Sequence, residues 1–328
     1  MAAPERFAVG IDIGGTNVKA GLVSGALAVA ARADRPTEEA KGAAQLLGKI
    51  ADLTKELASA APSGSVVAGV GIGSPGFVDA SLGVVSDCPG KIPGWTGTAV
   101  TEEVSSAAGL PAFLENDAKV IALGEGWAGA AKGASDYVSV TLGTGVGGGI
   151  VQGGEILQGA SGTAAALGHT CVDPDGPTCI CGARGCLEVY VSTRAIGACA
   201  VDYIMRGVET TVLDHVEGGD LGDVDARAVF EAAAAGDAVA CEVVGRTAKY
   251  LAAGLVTIAH VLDPEVIVIG GGVTKAGDLL LVPVREMATR LIWRKPGAPP
   301  VRIEFSQLGD DAGVFGGAAL AFGKTSGR

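Results

Sequence analysis

Aromatic side chains are scarce in this sequence, at 4% of 328 residues. No stretch reaches the roughly 18 uninterrupted apolar residues that a helical membrane span requires, so no membrane partner is expected. Dense Lys/Arg runs are missing as well. The 36 acidic residues outnumber the 24 basic ones, for a formal net charge of -12, and a surface of that sign repels a phosphate backbone. Nucleic acid is therefore not an expected partner. The opening residues MAAPERFAVGIDIGG contain no basic segment followed by a long apolar run, which leaves no secretory leader to expect and points to a cytoplasmic protein. A G-x-x-x-x-G-K-[ST] run is also lacking, which excludes a P-loop nucleotidase. The seven cysteines are an odd number, with Cys179, Cys181 and Cys186 crowded together and Cys88, Cys171, Cys199 and Cys241 scattered. That distribution argues against a disulfide framework and for a metal site.

What the chain has in quantity is glycine, 53 residues, within a 48% hydrophobic composition. Its length and apolar content suffice for two cores, and abundant glycine with few large rings describes an α/β protein whose backbone approaches a ligand. Short apolar runs at 7–12, 18–23 and 26–31 read as strands, 39–60 has helical spacing, and 66–72 is again a strand. The Pro/Gly/Asp-rich segment 73–95 reads as a long functional loop. A helix at 98–108, a strand at 112–115 and a helix at 118–128 follow. Strand 137–141 then repeats the opening theme, so that Asp12-Ile13-Gly14-Gly15-Thr16 and Leu142-Gly143-Thr144-Gly145 occupy equivalent places in two successive α/β units. Helices at 193–205, 226–235, 238–261, 279–291 and 313–322 and strands at 266–269 and 301–305 complete the pass. The expected architecture is two lobes with mixed sheets: 1–117 plus about 300–328 in the smaller, 118–299 in the larger, with hinges near Asp117 and Pro299.

Converging backbone N–H donors bind polyphosphates, and glycine permits the turns that aim them. Gly14, Gly15 and Thr16 form one such cradle, with Asp12 placed to hold Mg²⁺ through water and Lys19 grouped with them. Gly143, Thr144 and Gly145 form a second. Gly270-Gly271-Gly272, after a late strand, offers a place for adenosine. The bland explanation, tight turns in a glycine-rich chain, suits either loop alone better than the combination. Asn116-Asp117 ends a strand, where an amide and a carboxylate can face a hydroxylated substrate. Asp117 is the candidate base that accepts the acceptor hydroxyl's proton. The alternative for this dipeptide is a helix N-cap. His169, Cys179, Cys181 and Cys186 supply an imidazole and three thiolates in a Pro/Gly-rich loop, a donor set suited to a closed, structural Zn²⁺ site, with Cys171 a competing ligand.

Taken together, DIGGTNVKAGLV, GIGSPGFVD, LENDA, TLGTGVGGGIV, the HxxxxxxxxxCxCGxxGCLE block, VIVIGGGV and LGDDAGVFGGAAL closely resemble the ROK family, bacterial glucokinases in particular, across nearly the whole chain. The resemblance implies a two-lobe actin/hexokinase-like (ribonuclease H-like) fold with a small zinc-bound loop. It further implies a homodimer or homotetramer, and ATP-dependent phosphorylation of a primary, 6-type hexose hydroxyl. By the same resemblance Asn116, Asp117, His169 and Glu188 contact the sugar, and Ser74, Pro75 and Gly76 line its pocket. The repressor branch of the family carries an N-terminal DNA-binding domain, which is not expected where the first strand starts at Phe7. Three departures stand out: Ala166 replaces a sugar-binding glutamate of the G-E-x-G-H motif, Lys91 replaces an asparagine before P-G-W, and Lys119 stands where asparagine is common. Losing a hydroxyl partner disfavours glucose by roughly 1–3 kcal/mol, so an amino sugar or a sugar-like cyclitol is the alternative acceptor. Polyphosphate as donor, or a sugar-binding sensor with decayed catalysis, are lesser alternatives.

Overall fold

The computed structural model describes residues 4–88 and 92–325. Lys91, one of the three departures, lies outside the described residues. The strands are β1 (Arg6–Ile13), β2 (Asn17–Ser24), β3 (Val29–Pro36), β4 (Val66–Ser74), β5 (Phe77–Asp79), β6 (Val84–Asp87), β7 (Ala112–Asn116), β8 (Tyr137–Leu142), β9 (Val146–Gln152), β10 (Glu155–Ile156), β11 (Val266–Gly270) and β12 (Arg302–Phe305). The α-helices are α1 (Ala43–Ser59), α2 (Val100–Ala108), α3 (Asp117–Ala128), α4 (Glu188–Val191), α5 (Thr193–Met205), α6 (Ala226–Ala234), α7 (Ala238–Leu262), α8 (Asp278–Leu291) and α9 (Ala312–Thr325). They form an α/β structure with two five-stranded sheets, ordered β3-β2-β1-β4-β7 and β10-β9-β8-β11-β12, and a small β5-β6 pair.

The chain divides into two compact units, Met1–Ser135 with Gly149–Ala165 and Gln307–Arg328, and Asp136–Gly148 with Ala166–Ser306. Helix α3 belongs to the first, whereas the sequence boundary at Asp117 assigned it to the second. Its packing against α9 accounts for the difference. In the first sheet β1 pairs antiparallel with β2 and parallel with β4, and β4 parallel with β7, so the C-terminal ends of β1, β4 and β7 share one edge. One face carries Ile11, Ile13, Leu22 and Ile72 against Leu46, Ile50 and Leu53 of α1. The other carries Ala8 and Val23 against Val314, Phe315 and Ala318 of α9. That second contact is backbone to backbone: a Cβ on Gly10 would sit 1.8 Å from the Val314 carbonyl oxygen, and one on Gly71 1.9 Å from that of Gly317. Glycine there lets the helix lie closer to the strands than side chains would permit.

In the second unit β11 runs parallel to both β8 and β12. Helices α4, α5, α6 and α8 pack on the long α7, whose Val243, Leu251, Leu255 and Ile258 are buried. Three sequence expectations are corrected. Strand β3 starts at Val29, not Ala26, because Leu27 turns the chain with φ 68°. Helix α1 starts at Ala43, not Glu39, because Gly42 at φ 82° interrupts it. The long loop 73–95 contains the β5-β6 hairpin, which its Pro/Gly/Asp content obscured.

Candidate functional site

In the first unit the shared edge of β1, β4 and β7 gathers Asp12, Ser74 and Asn116. Asn116 is the N-cap of α3: its Oδ1 accepts from the amides of Ala118 and Lys119 at 3.1 and 3.3 Å. Its Nδ2 donates to the Gly76 carbonyl at 3.1 Å and to Asp117 Oδ1 at 2.9 Å. An amide has two donors and two lone pairs, so those bonds use its capacity. The capping alternative therefore holds for Asn116, whose side-chain amide also bonds Asp117. Asp117 Oδ1 also accepts from the Ala118 amide at 2.8 Å. Ser74 is fully buried, and its hydroxyl accepts from Trp95 Nε1 at 3.0 Å and donates to the Pro75 carbonyl at 3.0 Å. Its hydroxyl is thus engaged within the protein. Gly76 holds φ 91°, a conformation in which side chains are strained.

Asp12 and Asp117 lie close enough to act on each other. Burial, with the Asp117 carboxylate adding, pushes Asp12 up to about 7; Lys19 beside it opposes the rise and Asp310 adds to it. Lys19 pairs with Asp12 across the β1-β2 register and sits 3.3 Å from the exposed Asp310. Sequence reasoning did not assign Gly313 to the site, yet a Cβ there would fall 2.4 Å from Asp12 Cγ, so the first turn of α9 is pressed against this carboxylate. Its signal was the LGDDAGVFGG motif, which drew notice only as part of a resemblance. In the first glycine loop the Gly14 amide closes the turn onto the Asn17 carbonyl at 3.0 Å, and Thr37 braces Gly14 and Thr16 from outside at 2.6 and 2.8 Å. Gly15 and Thr16 form the exposed apex, so the donors aimed outward are theirs and not that of Gly14.

The second unit holds the other glycine segments. The Gly143 amide bonds the Gly145 carbonyl at 2.9 Å, and the Thr193 amide and hydroxyl bond the Gly143 carbonyl at 2.8 and 3.0 Å. Glu188 Oε2 accepts from the Val146 amide at 2.9 Å, and a Cβ on Gly145 would lie 2.7 Å from that oxygen. The glycine at 145 thus makes room for a carboxylate of the protein itself. Gly271 at φ 88° abuts the Leu142 carbonyl, which brings the third glycine segment beside the second. A cavity of about 670 Å³ adjoins them, lined by Thr193, Asp225, Phe230, Gly272, Lys275 and Leu279. It is of the size of small-molecule sites, and its α6 and α8 walls carried no sequence signal. Thr141 Oγ1, two residues before Gly143, is buried without a hydrogen-bond partner, an orphan that a bound polar group would satisfy.

One donor atom from each of His169, Cys179, Cys181 and Cys186 lies within 4.8 Å of the other three. His169 Nδ1 is 3.6 Å from Cys179 Sγ, and Cys181 Sγ is 3.6 Å from Cys186 Sγ. A tetrahedron with metal–sulfur bonds of about 2.3 Å has edges of roughly 3.8 Å, so the donor set fits zinc. Cys171 pairs its backbone with that of Cys186 but is not one of the four. Burial pushes the Cys186 thiol up to about 12, with the Cys181 and Cys179 sulfurs adding to the rise. Cys179 Sγ also reaches Glu188 Oε1 at 4.0 Å, which ties the loop to the second glycine turn. Ala166 is exposed and follows Ala165, a non-glycine residue at φ 74°.

Comparison with known proteins bears directly on this geometry. A model described as the ROK family matches residues 8–324. A glucokinase of Halalkalibacterium halodurans is 39% identical over 319 residues, 96% of this chain and 95% of that protein. An N-acetylmannosamine kinase of Citrobacter koseri is 33% identical over 314 residues, 95% of this chain and 98% of that protein. Among solved structures, a ROK family glucokinase from Streptomyces griseus in complex with glucose and AMPPNP matches with a TM-score of 0.80 and 34% identity, over 96% of this chain and 98% of that one.

Proposed function

We propose that this chain, which belongs to the ROK family, transfers the terminal phosphoryl group of ATP to a primary, 6-type hydroxyl of a hexose. The chain is a sugar kinase, and hence a phosphotransferase. The observation that carries the finer reading is the meeting of Asp12, near the end of β1, with Asp117, at the start of α3, where burial first and the Asp117 carboxylate second push Asp12 up to about 7. Two carboxylates held together at a shared strand edge beside a glycine turn suit a reaction that needs one anion for a cation and another for a proton. The strand order β3-β2-β1-β4-β7 supports an actin/hexokinase-like reading of the fold.

Asp117, oriented by Asn116 and the Ala118 amide, accepts the proton of the attacking hydroxyl. Asp12 would hold magnesium through water. Bound magnesium supplies charge neutralisation at the phosphate oxygens. The exposed amides of Gly15 and Thr16 in the first unit would serve as phosphate donors; within the second unit those of Thr144 and Gly145 would do the same, and the cavity beside Gly272 would hold adenosine. His169, Cys179, Cys181 and Cys186 would hold zinc, which supplies a rigid crosslink in a loop with few apolar residues. The candidates for sugar contact are those the resemblance names, Ser74, Pro75, Gly76, Asn116 and Asp117 in the first unit and His169 and Glu188 in the second, with the side chains of Ser74 and Asn116 already hydrogen-bonded within the protein.

A second reading concerns the acceptor alone. Ala166 offers no hydroxyl partner where the resemblance expects glutamate, and an N-acetylmannosamine kinase is among the relatives. Both favour a hexose modified near C1/C2, or a cyclitol. A coupled Mg-ATP assay over glucose, mannose, N-acetyl sugars, amino sugars and cyclitols, with Ala166→Glu alongside, separates the two. If glucose is the acceptor, Ala166→Glu lowers its KM by about fivefold or more. If the acceptor is modified, the variant loses turnover on that acceptor.

A further inference from the structure

Beneath the Asn116–Asp117 corner lies a buried network that the reaction described above does not use. Glu115 and Lys119 flank the corner, with side chains only 3% and 4% exposed and Lys119 Nζ 3.9 Å from Glu115 Oε1. Lys119 Nζ donates to Gln158 Oε1 and to the Gly162 carbonyl, both at 2.8 Å. Gln158 Nε2 closes the circuit by donating to Glu115 Oε2. An ammonium has three donors, and here each faces an oxygen.

We propose that Glu115 and Lys119 are positioning residues for Asp117, acting through Asn116 and anchored by Gln158 and Gly162. The proposal rests on the kinase reading. The Glu115 carboxylate and the backbone of Lys119 both bond the same asparagine. Glu115 Oε1 accepts the Asn116 amide at 2.8 Å, while the Lys119 amide donates to Asn116 Oδ1 at 3.3 Å. Asn116 Nδ2 in turn holds Asp117 Oδ1 at 2.9 Å. Stability alone does not explain such a pair, because well-packed apolar residues commonly serve as well as a buried ion pair. What apolar residues lack is direction. The carboxylate and ammonium fix the strand end and the helix start relative to each other, and the strap at Gln158–Gly162 keeps Lys119 from swinging away. Burial also draws the Lys119 ammonium below its ordinary range, against the pull of Glu115, in keeping with a charge held where water does not relax it.

The test uses Lys119→Met and Gln158→Leu in the full chain, with steady-state kinetics and amide hydrogen exchange at Asn116 and Ala118. Lys119→Met is expected to lower kcat about tenfold or more, with KM for ATP unchanged and faster exchange at both amides. Gln158→Leu leaves the ion pair in place and cuts only the strap, so a several-fold kcat loss with the same exchange signature is expected. A folded Lys119→Met protein with wild-type kcat and wild-type exchange overturns the proposal. Should Lys119→Met not fold, wild-type kcat and exchange in Gln158→Leu overturn it instead. Should the wild-type enzyme phosphorylate no sugar, the kinase reading fails on its own, and the exchange rates still decide whether the network holds the corner.

Discussion

The strand-end corner of the first unit and the cysteine loop of the second both crowd polar groups together, and they do so with opposite resources. At the corner the groups are held by protein: β1, β4 and β7 run parallel, Asn116 caps α3, and α9 lies against the sheet through glycine contacts. That scaffold keeps Asp12 buried and near Asp117, and burial first, with the neighbouring carboxylate adding, raises Asp12. In the loop, four soft donors converge on a segment whose buried members are few, and Ile180 is 86% exposed. One region holds its anions together by packing; the other has the chemistry of a site completed by a cation. On the proposed reading, the reacting carboxylates sit where the packing is densest, and the loop would take its order from a bound cation.

The largest test of that contrast is Asp117→Asn. Loss of a general base costs roughly 10²- to 10⁴-fold in kcat, with the fold intact because Asn116 and the α3 cap remain. A coupled assay and a melting curve read both halves. Removing metal should act the other way round. A strong chelator is expected to extract about one zinc per chain and lower Tm by about 5 °C or more, with the first unit's amide protection unchanged. Unchanged melting of metal-free protein would break the comparison.

Gly313→Ala is smaller and sharper. Its methyl group meets Asp12, so kcat with Mg-ATP is expected to fall about tenfold while the cysteine loop keeps its metal. The smallest effect is in pH. Folded Asp12 holds its proton to about 7 whereas the unfolded chain releases it near the ordinary 3.8, so the native state binds more protons in that window. Stability therefore falls as pH rises through it, by about 1 kcal/mol between about pH 6 and pH 8 without magnesium. Asp117→Asn removes part of the cause and should flatten that slope in melts across the same range.

The two regions also differ in how far they were readable beforehand. The clustering of His169, Cys179, Cys181 and Cys186 was legible because the four are neighbours in sequence and their residue types are chemically narrow. At the corner, Asp12 and Asp117 were each legible as the end of an apolar run, but their encounter depends on β1-β4-β7 order, which no local pattern encodes. Gly313 was visible only as part of the LGDDAGVFGGAAL motif, because its closeness to Asp12 exists only once α9 has docked. Burial hid the rest. Ser74 looked like a pocket residue until Trp95 was found on its hydroxyl, and Lys119 read as a substitution before its three partners were known. The β5-β6 hairpin was missed because Val78, Val84 and Val85 are embedded among turn formers, and the start of β3 was set too early because a left-handed Leu27 lengthens the turn.

The central claim is that the carboxylates of the first unit serve transfer of phosphate to a sugar hydroxyl. Phosphorus NMR of the purified protein with Mg-ATP and the sugar panel tests it most directly. The account predicts one ADP for each new phosphomonoester on a primary sugar carbon, formed by the wild-type protein and not measurably by Asp117→Asn on the same timescale. ATP left intact with every sugar, or a phosphomonoester formed equally fast by Asp117→Asn, would contradict it.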